Sequence, residues 1–358
     1  MVDVAAPMLT ETRFQVPMKR REFLKTVGGA AGAAALGVPK MFAEPPDEKV
    51  AGLPRRVLGR TGQKLSVVGF PGLALSQYDQ EKGTAALHDA LERGVNYFDV
   101  APAYGDAQTK MGIGLQGIDR SRYFLACKTK ERDNEGVGKE LEDSLKKLKT
   151  DHFDLYQLHH LVQPSAVKQA LGPNGALERI LKARDEGKVK YIGFSAHTTK
   201  AALEALRGFK FDTVMFPINF VEYYTRRFGE EVLALANQNG AAVLAIKPLS
   251  WGAWPKDAQQ DRKWWYRTVE DLKDVELALR FTLSQPGVVA GIPPSYFDLL
   301  DRSIEAAKLF RPLDAAAIRQ LKEMAANRDS IFLAEEKQVA LNLPRWTPVY
   351  PRSPHECG

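Results

Sequence analysis

Eight short apolar runs, each followed by a helix-sized segment, constrain this chain more than any other feature. They are Leu65–Phe70, Asn96–Val100, Tyr123–Cys127, Phe153–Leu158, Tyr191–Phe194, Thr213–Ile218, Ala242–Ile246 and Val288–Ile292. Runs of this length without polar alternation suit parallel strands that are buried on both faces. The segments between them carry helical stripes: Ala86, Leu87, Ala90 and Leu91 before Gly94, then Val137, Leu141, Leu145 and Leu148, then Leu177, Ile180 and Leu181. Thr199–Leu206, Val232–Ala236, Val275–Leu283 and Ser303–Leu309 continue the series. Strand–helix alternation predicts a parallel sheet, and eight repeats favour closure into a barrel. No Gly-x-Gly-x-x-Gly follows the first run, which weighs against an open dinucleotide-binding sheet. The fold expected is α/β, a (β/α)8 TIM barrel.

Such a barrel takes about 250 residues, so the 358 residues here divide into one barrel with additions. Residues 1–43 read as a leader and residues 44–54, around Pro45–Pro46, as a linker. Residues 55–310 are expected to form the barrel, opened by a hairpin over Val57–Leu65 that turns at Thr61-Gly62. A long loop, Trp251–Asp271, follows the seventh strand, and residues 311–358 make a C-terminal helix and an extended tail containing Trp346 and Tyr350. The formal charge is +6, and six basic against three acidic side chains in residues 1–43 account for half of it. The remaining charges are interspersed, which argues against nucleic acid as a partner. Met18-Lys19-Arg20-Arg21-Glu22-Phe23-Leu24-Lys25, followed by the mild apolar run Thr26–Val38, resembles a twin-arginine export signal with cleavage after Ala43. That run is too short and too rich in glycine to span a bilayer, which needs about 20 residues. The expectation is export to the periplasm, with the twin-arginine translocase as a transient partner. The two cysteines, Cys127 and Cys357, form no Cys-x-x-Cys pair, and the six histidines show no metal-ligand spacing.

Active sites of (β/α)8 barrels lie at the C-terminal ends of the strands. Polar residues that end apolar runs are therefore the candidates. Asp99 ends the second run, and Tyr104 follows it in the loop Ala101–Gly105. Lys128 ends the third run, and His159 the fourth. Three neighbouring strands thus bring a carboxylate, a phenol, an ammonium and an imidazole to one rim. A phenol, with an ordinary pKa of about 10, gives up its proton more easily beside an ammonium. A carboxylate would hold that ammonium charged and in place, and an imidazole would hydrogen-bond a carbonyl oxygen. This set suits proton donation to an oxygen that becomes an alcohol. None of the four supplies electrons, so a reductant must be bound. A barrel hydrolase or lyase would need a metal site or paired carboxylates, and the strand ends offer neither.

Asn96–Gly105 (Asn-Tyr-Phe-Asp-Val-Ala-Pro-Ala-Tyr-Gly) resembles the aldo/keto reductase signature, and Arg56–Gly62 resembles that family's N-terminal hairpin. Leu155–His159, Tyr191–Ser195 and Leu279–Pro293 correspond in order and spacing, so the similarity extends over about residues 55–310. On this resemblance Asp99, Tyr104, Lys128 and His159 match the catalytic tetrad. It implies hydride transfer from NADPH to an aldehyde or ketone, with Tyr104 as general acid. Ser195 matches the family's serine at the nicotinamide carboxamide. Lys247-Pro248-Leu249-Ser250-Trp251-Gly252 resembles the pyrophosphate loop, with Lys247, Leu249 and Gly252 as its contacts. Gly291 and Pro293 belong to a segment that resembles the adenosine-side loop. Four positions depart from the pattern: Ala196, Met215, Ile246 and Leu299 stand where the family usually has Asn, Gln, Tyr and Arg. The resemblance therefore implies NADP(H) by default and leaves NAD(H) open. The departures also fit a second reading, a cofactor-binding redox sensor or partner subunit like the channel-associated β subunits of the family. For the substrate pocket the expected lining is Phe70, His160, Trp251, Trp264 and Trp265, the last three from the long loop. With little free NADPH expected outside the cytoplasm, the cofactor is expected to be bound before export.

Overall fold

The computed structural model describes residues 48–343, apart from 256 and 261. The expected leader, and the tail from residue 344 with Trp346, Tyr350 and Cys357, lie outside the described residues. Among the described residues three short strands come first, β1 (Glu48–Val50), β2 (Leu53–Val57) and β3 (Lys64–Ser66), in one antiparallel sheet. The hairpin expected at Thr61-Gly62 joins β2 to β3, with Gly62 at a φ of 74° that glycine adopts without strain. Residues 48–54, expected as linker, are instead paired: Glu48 lies opposite Arg55 and Val50 opposite Leu53.

Eight parallel strands then form the barrel in sequential order: β4 (Phe70–Pro71), β5 (Tyr97–Asp99), β6 (Phe124–Thr129), β7 (Phe153–Leu161), β8 (Val189–Ala196), β9 (Thr213–Pro217), β10 (Ala242–Ile246) and β11 (Val288–Ile292). The run Leu65–Phe70 is divided, its start joining the hairpin sheet and its end the barrel. Closure falls between these parts, where Gly291 N–H donates to Val67 O at 2.9 Å and Gly69 N–H to Gly291 O at 3.1 Å. The hairpin sheet is tied to the barrel by Arg56, whose guanidinium donates to the carbonyls of Leu283 and Val288 at 2.6 and 2.7 Å.

Alternation along each strand sorts its side chains. Tyr97, Phe124, Ala126, Leu155, Met215, Leu244 and Ile292 fill the barrel interior. Phe98, Leu125, Cys127, Tyr156, Phe194, Val214 and Val243 face outward into a larger core shared with the helices. Helices Gln80–Glu92, Asn134–Leu148, Ala176–Asp185, Thr199–Gly208, Glu230–Asn239, Leu272–Ser284 and Phe297–Lys308 lie where the stripes place them. Three shorter ones, Ala107–Gly114, Pro164–Leu171 and Phe220–Arg226, have too few turns to print a clear stripe in the sequence. Among the described residues beyond the barrel there are two helices, Ala315–Ala325 and Leu333–Ala340, where one was expected. Glu222 holds the segment before the second by accepting from Ile331 N–H and Ser330 Oγ, both at 2.7 Å. Among the described residues no helix is long and apolar enough to cross a membrane.

Candidate active site

The same alternation that packs the barrel delivers the site. Asp99, Lys128 and His159 share the inward parity of Tyr97, Ala126 and Leu155, and each stands at or near the C-terminal end of its strand. Lys128 is fully buried and its ammonium is bonded to Asp99 Oδ1. It also donates to Val100 O at 3.3 Å and to Tyr104 Oη at 3.4 Å. Burial pulls the Lys128 pKa down, but the charge of Asp99 and the oxygen of Tyr104 outweigh it and hold the ammonium above the ordinary lysine value. The Tyr104 ring stands edge-on to His159, with centroids 5.7 Å apart at 86°. Arg132 donates to His159 O at 2.5 Å and so fixes the backbone there.

Two interior residues with no separate signal in the sequence support Asp99 from below. Tyr97 donates to Asp99 Oδ2 at 3.1 Å and Gln157 Nε2 donates to the same oxygen at 3.4 Å. Burial, and then the neighbouring carboxylate, push the Tyr97 phenol well above its ordinary range, so it remains a neutral donor. Parity could have found both, since Tyr97 lies two before Asp99 and Gln157 two before His159.

These groups open into a cleft of about 680 Å3, its mouth included. Tyr104, His159, His160, Ser195, Lys247, Pro293, Trp264 and Trp265 all line it, as do Met215 and Ile246. His160 enters in an unexpected way. Outward parity would bury it, but a positive φ of 59° and a shift in the β7–β8 register turn it into the cleft, and its backbone N–H donates to Ser195 Oγ at 2.7 Å. His197, not anticipated, lines the cleft two residues after Ser195.

Five expected residues lie elsewhere. Phe70 has outward parity and stacks on Phe98 in the core, with centroids 5.4 Å apart. Trp251 is held between the guanidiniums of Arg267 and Arg328, at 4.5 and 4.1 Å, and donates to Met324 O. Leu249 is buried in the outer core, where its carbonyl accepts from Val269 N–H. Gly252, at a φ of 85°, packs against Asp329, whose backbone oxygen an added Cβ would approach to 2.8 Å. Gly291 spends its backbone groups on barrel closure. Leu299 is fully buried. Cys127 faces outward beside Gln108, and burial pushes its thiol up to about 12. Among the described residues no group of three or more His, Cys, Asp or Glu is placed to hold a metal ion.

A parallel barrel with a phenol, a buried lysine–aspartate pair and an imidazole at its C-terminal mouth defines the class as a (β/α)8 oxidoreductase. Residues 67–326 match the Aldo/keto reductase family. The chain belongs to that family and is an NAD(P)H-dependent enzyme. It is 25% identical over 239 residues to L-galactose dehydrogenase of Arabidopsis thaliana, covering 62% of this chain and 73% of that one. It is also 25% identical to the uncharacterized oxidoreductase YqkF of Bacillus subtilis, over 72% of this chain and 92% of that one. The fold is similar to that of the aldo-keto reductase AKR11C1 from Bacillus halodurans, with a TM-score of 0.62 and 23% identity over 79% of this chain and 99% of that one. An aldo-keto reductase from Klebsiella pneumoniae in complex with NADPH aligns with a TM-score of 0.59 and 20% identity, over 75% and 94% of the two chains.

Proposed function

We propose that the protein reduces an aldehyde or ketone to an alcohol at this cleft, with Tyr104 as the proton donor. The observation that carries this reading is the contact of the Lys128 ammonium with both Asp99 and Tyr104 Oη. A charged group at that position favours the phenolate left after proton transfer, and each unit of pKa shift is worth about 1.4 kcal/mol. His159, edge-on to Tyr104, is placed to hydrogen-bond the same carbonyl oxygen and polarise it.

A nicotinamide cofactor fits the residues present. The cleft offers an apolar floor at Met215 and Ile246, the Ser195 hydroxyl at one side, and Pro293 and the Lys247 cation at the rim. Ser195, Met215, Ile246 and Pro293 would hold the cofactor, which supplies the hydride that no side chain here can provide. The NADPH in the Klebsiella pneumoniae relative favours NADP(H). Burial of Leu299, where the family usually has an arginine, leaves room for NAD(H).

Titration of nucleotide fluorescence, with NADPH and NADH side by side, tests this. Saturable binding of NADPH that survives Tyr104→Phe is expected. Absence of any change with either nucleotide would reject the reading. Tight binding without turnover would favour the redox-sensor or partner reading. We further infer export through the twin-arginine pathway with the cofactor already in place, on the strength of residues 18–25.

A further inference from the structure

We propose that Arg132 is a positioning residue for the reduction: by holding the peptide between His159 and His160, it keeps the His159 imidazole against Tyr104. The inference rests on the carbonyl-reduction reading above and adds to it a residue that is not part of the cleft lining. The ladder of β7 changes register at the site. Leu158 lies opposite Phe194 and Leu161 opposite Ala196, so His159 and His160 together face Ser195. On its other side β7 pairs with β6 as far as Leu158 opposite Thr129, the last residue of β6. The extra residue is accommodated by the φ of 59° at His160, a value uncommon outside glycine. Backbone of this kind persists only where its surroundings hold it in place.

The peptide unit is gripped at both ends. Its N–H, from His160, donates to Ser195 Oγ at 2.7 Å, and its carbonyl, from His159, accepts from Arg132 Nη2 at 2.5 Å. The other arm of the guanidinium, Nη1, donates to the carbonyls of Thr129, Lys130 and Glu131 at 3.3, 2.8 and 3.2 Å. The planar fork therefore continues the sheet past the end of β6 and joins the chain after Lys128 to the chain at His159. Burial lowers the Arg132 pKa to about 10, against the opposing charges of Glu131 and Glu140. The group is thus charged at neutral pH, and its hydrogen bonds are charge-assisted.

Arg132 is itself firmly seated. Its carbonyl accepts from Ala176 N–H at 2.9 Å, and Asp133 next to it caps helix Asn134–Leu148 by accepting from Gly136 N–H at 2.8 Å. The guanidinium thus carries the fixed geometry of this loop to the one strand position whose imidazole stands edge-on to Tyr104. A displacement of about 1 Å in a group of that kind can cost roughly 10²-fold in rate.

Coupling between Arg132 and the imidazole tests this, with NADPH and benzaldehyde as the probe substrates. Arg132→Met should lower kcat roughly 10- to 100-fold, with KM for the aldehyde and the affinity for NADPH changed less than about threefold. In a His159→Ala background, which keeps the peptide and removes the ring, the same substitution should cost less than about twofold more. Equal losses in the two backgrounds would overturn the role, because an arginine that only braced β6 would not distinguish them. The crystal structure of Arg132→Met gives a readout without turnover. The imidazole should be displaced from Tyr104 while the contact of Lys128 with Asp99 is kept, and an imidazole in its wild-type place would also overturn the proposal. Should Arg132→Met fail to fold, Arg132→Lys carries both measurements. Its ammonium can brace β6 or reach His159 but cannot bridge the two, so kcat should still fall at least about threefold. Wild-type protein that reduces no aldehyde, with the imidazole displaced in the variant, would leave the positioning role standing and remove the carbonyl-reduction reading instead.

Discussion

Asp99, Lys128 and Tyr104 act together because none would be stable in its place alone. A fully buried ammonium without a counter-charge is too costly to keep ionised. Asp99 provides that charge, Tyr97 and Gln157 fix the second oxygen of Asp99, and Tyr104 is left as the outermost member facing the cleft. Asp99, Lys128 and His159 were legible because each ends an apolar run on one parity, and Tyr104 because it follows Asp99 in the adjoining loop. The supporting pair lay inside those runs, where Tyr and Gln read as packing. A second charged cluster, at the start of β7, has a different purpose. Asp154 pairs with Arg120 at 2.6 Å and Lys190 at 2.8 Å and accepts from Leu125 N–H. Burial raises its pKa, but the two cations and the N–H overcome this and hold it below the ordinary value. A depressed carboxylate contributes stability above its unfolded pKa and loses it as pH falls through the folded one. Asp154→Asn should therefore cost about 3 kcal/mol at neutral pH. Thermal melts should show that difference shrinking in acid as wild-type Asp154 becomes protonated. A difference independent of pH would deny the charge pairing.

The loop between β10 and its helix was legible as an insertion, while its internal order was not. The sequence offered three tryptophans as equal candidates for the pocket. In the folded loop Trp251 is fixed between Arg267 and Arg328, whereas Trp264 and Trp265 face the cleft. Backbone bonds from Trp251 N–H to Arg267 O at 2.7 Å and from Ala253 N–H to Asp329 O at 2.9 Å decide this, and no local pattern encodes them. The segment before helix Leu333–Ala340 packs behind Trp265. Phe332 stacks on Phe228 with centroids 5.2 Å apart and faces Trp265. His160 illustrates the same limit, because its entry depends on a bulge and parity alone would send it outward. Trp264→Ala combined with Trp265→Ala should raise the KM for an aromatic aldehyde roughly tenfold, with kcat little changed. Unchanged kinetics in a variant that melts normally would show that the two rings only anchor the loop.

At the scale of the whole chain, the fold was the most legible property. Eight buried runs with helices between them leave few ways to hide both faces of a sheet, and closure is one of them. The divided first strand was less clear, since Leu65–Phe70 serves two sheets and its apolar character is continuous across the break. The export reading belongs to this scale as well. Replacing Arg20 and Arg21 together by Lys should retain the protein in the cytoplasm, as cell fractionation would show, and unaltered export would remove the twin-arginine reading. The central claim is that this barrel reduces carbonyl compounds by using Tyr104 as its acid. Consumption of NADPH in the presence of aldehydes, compared between wild type and Tyr104→Phe, tests it most directly. The account predicts alcohol formed in step with NADPH consumed, and a loss of about 10²–10⁴-fold in Tyr104→Phe with nucleotide binding retained. Turnover by Tyr104→Phe at the wild-type rate would contradict it.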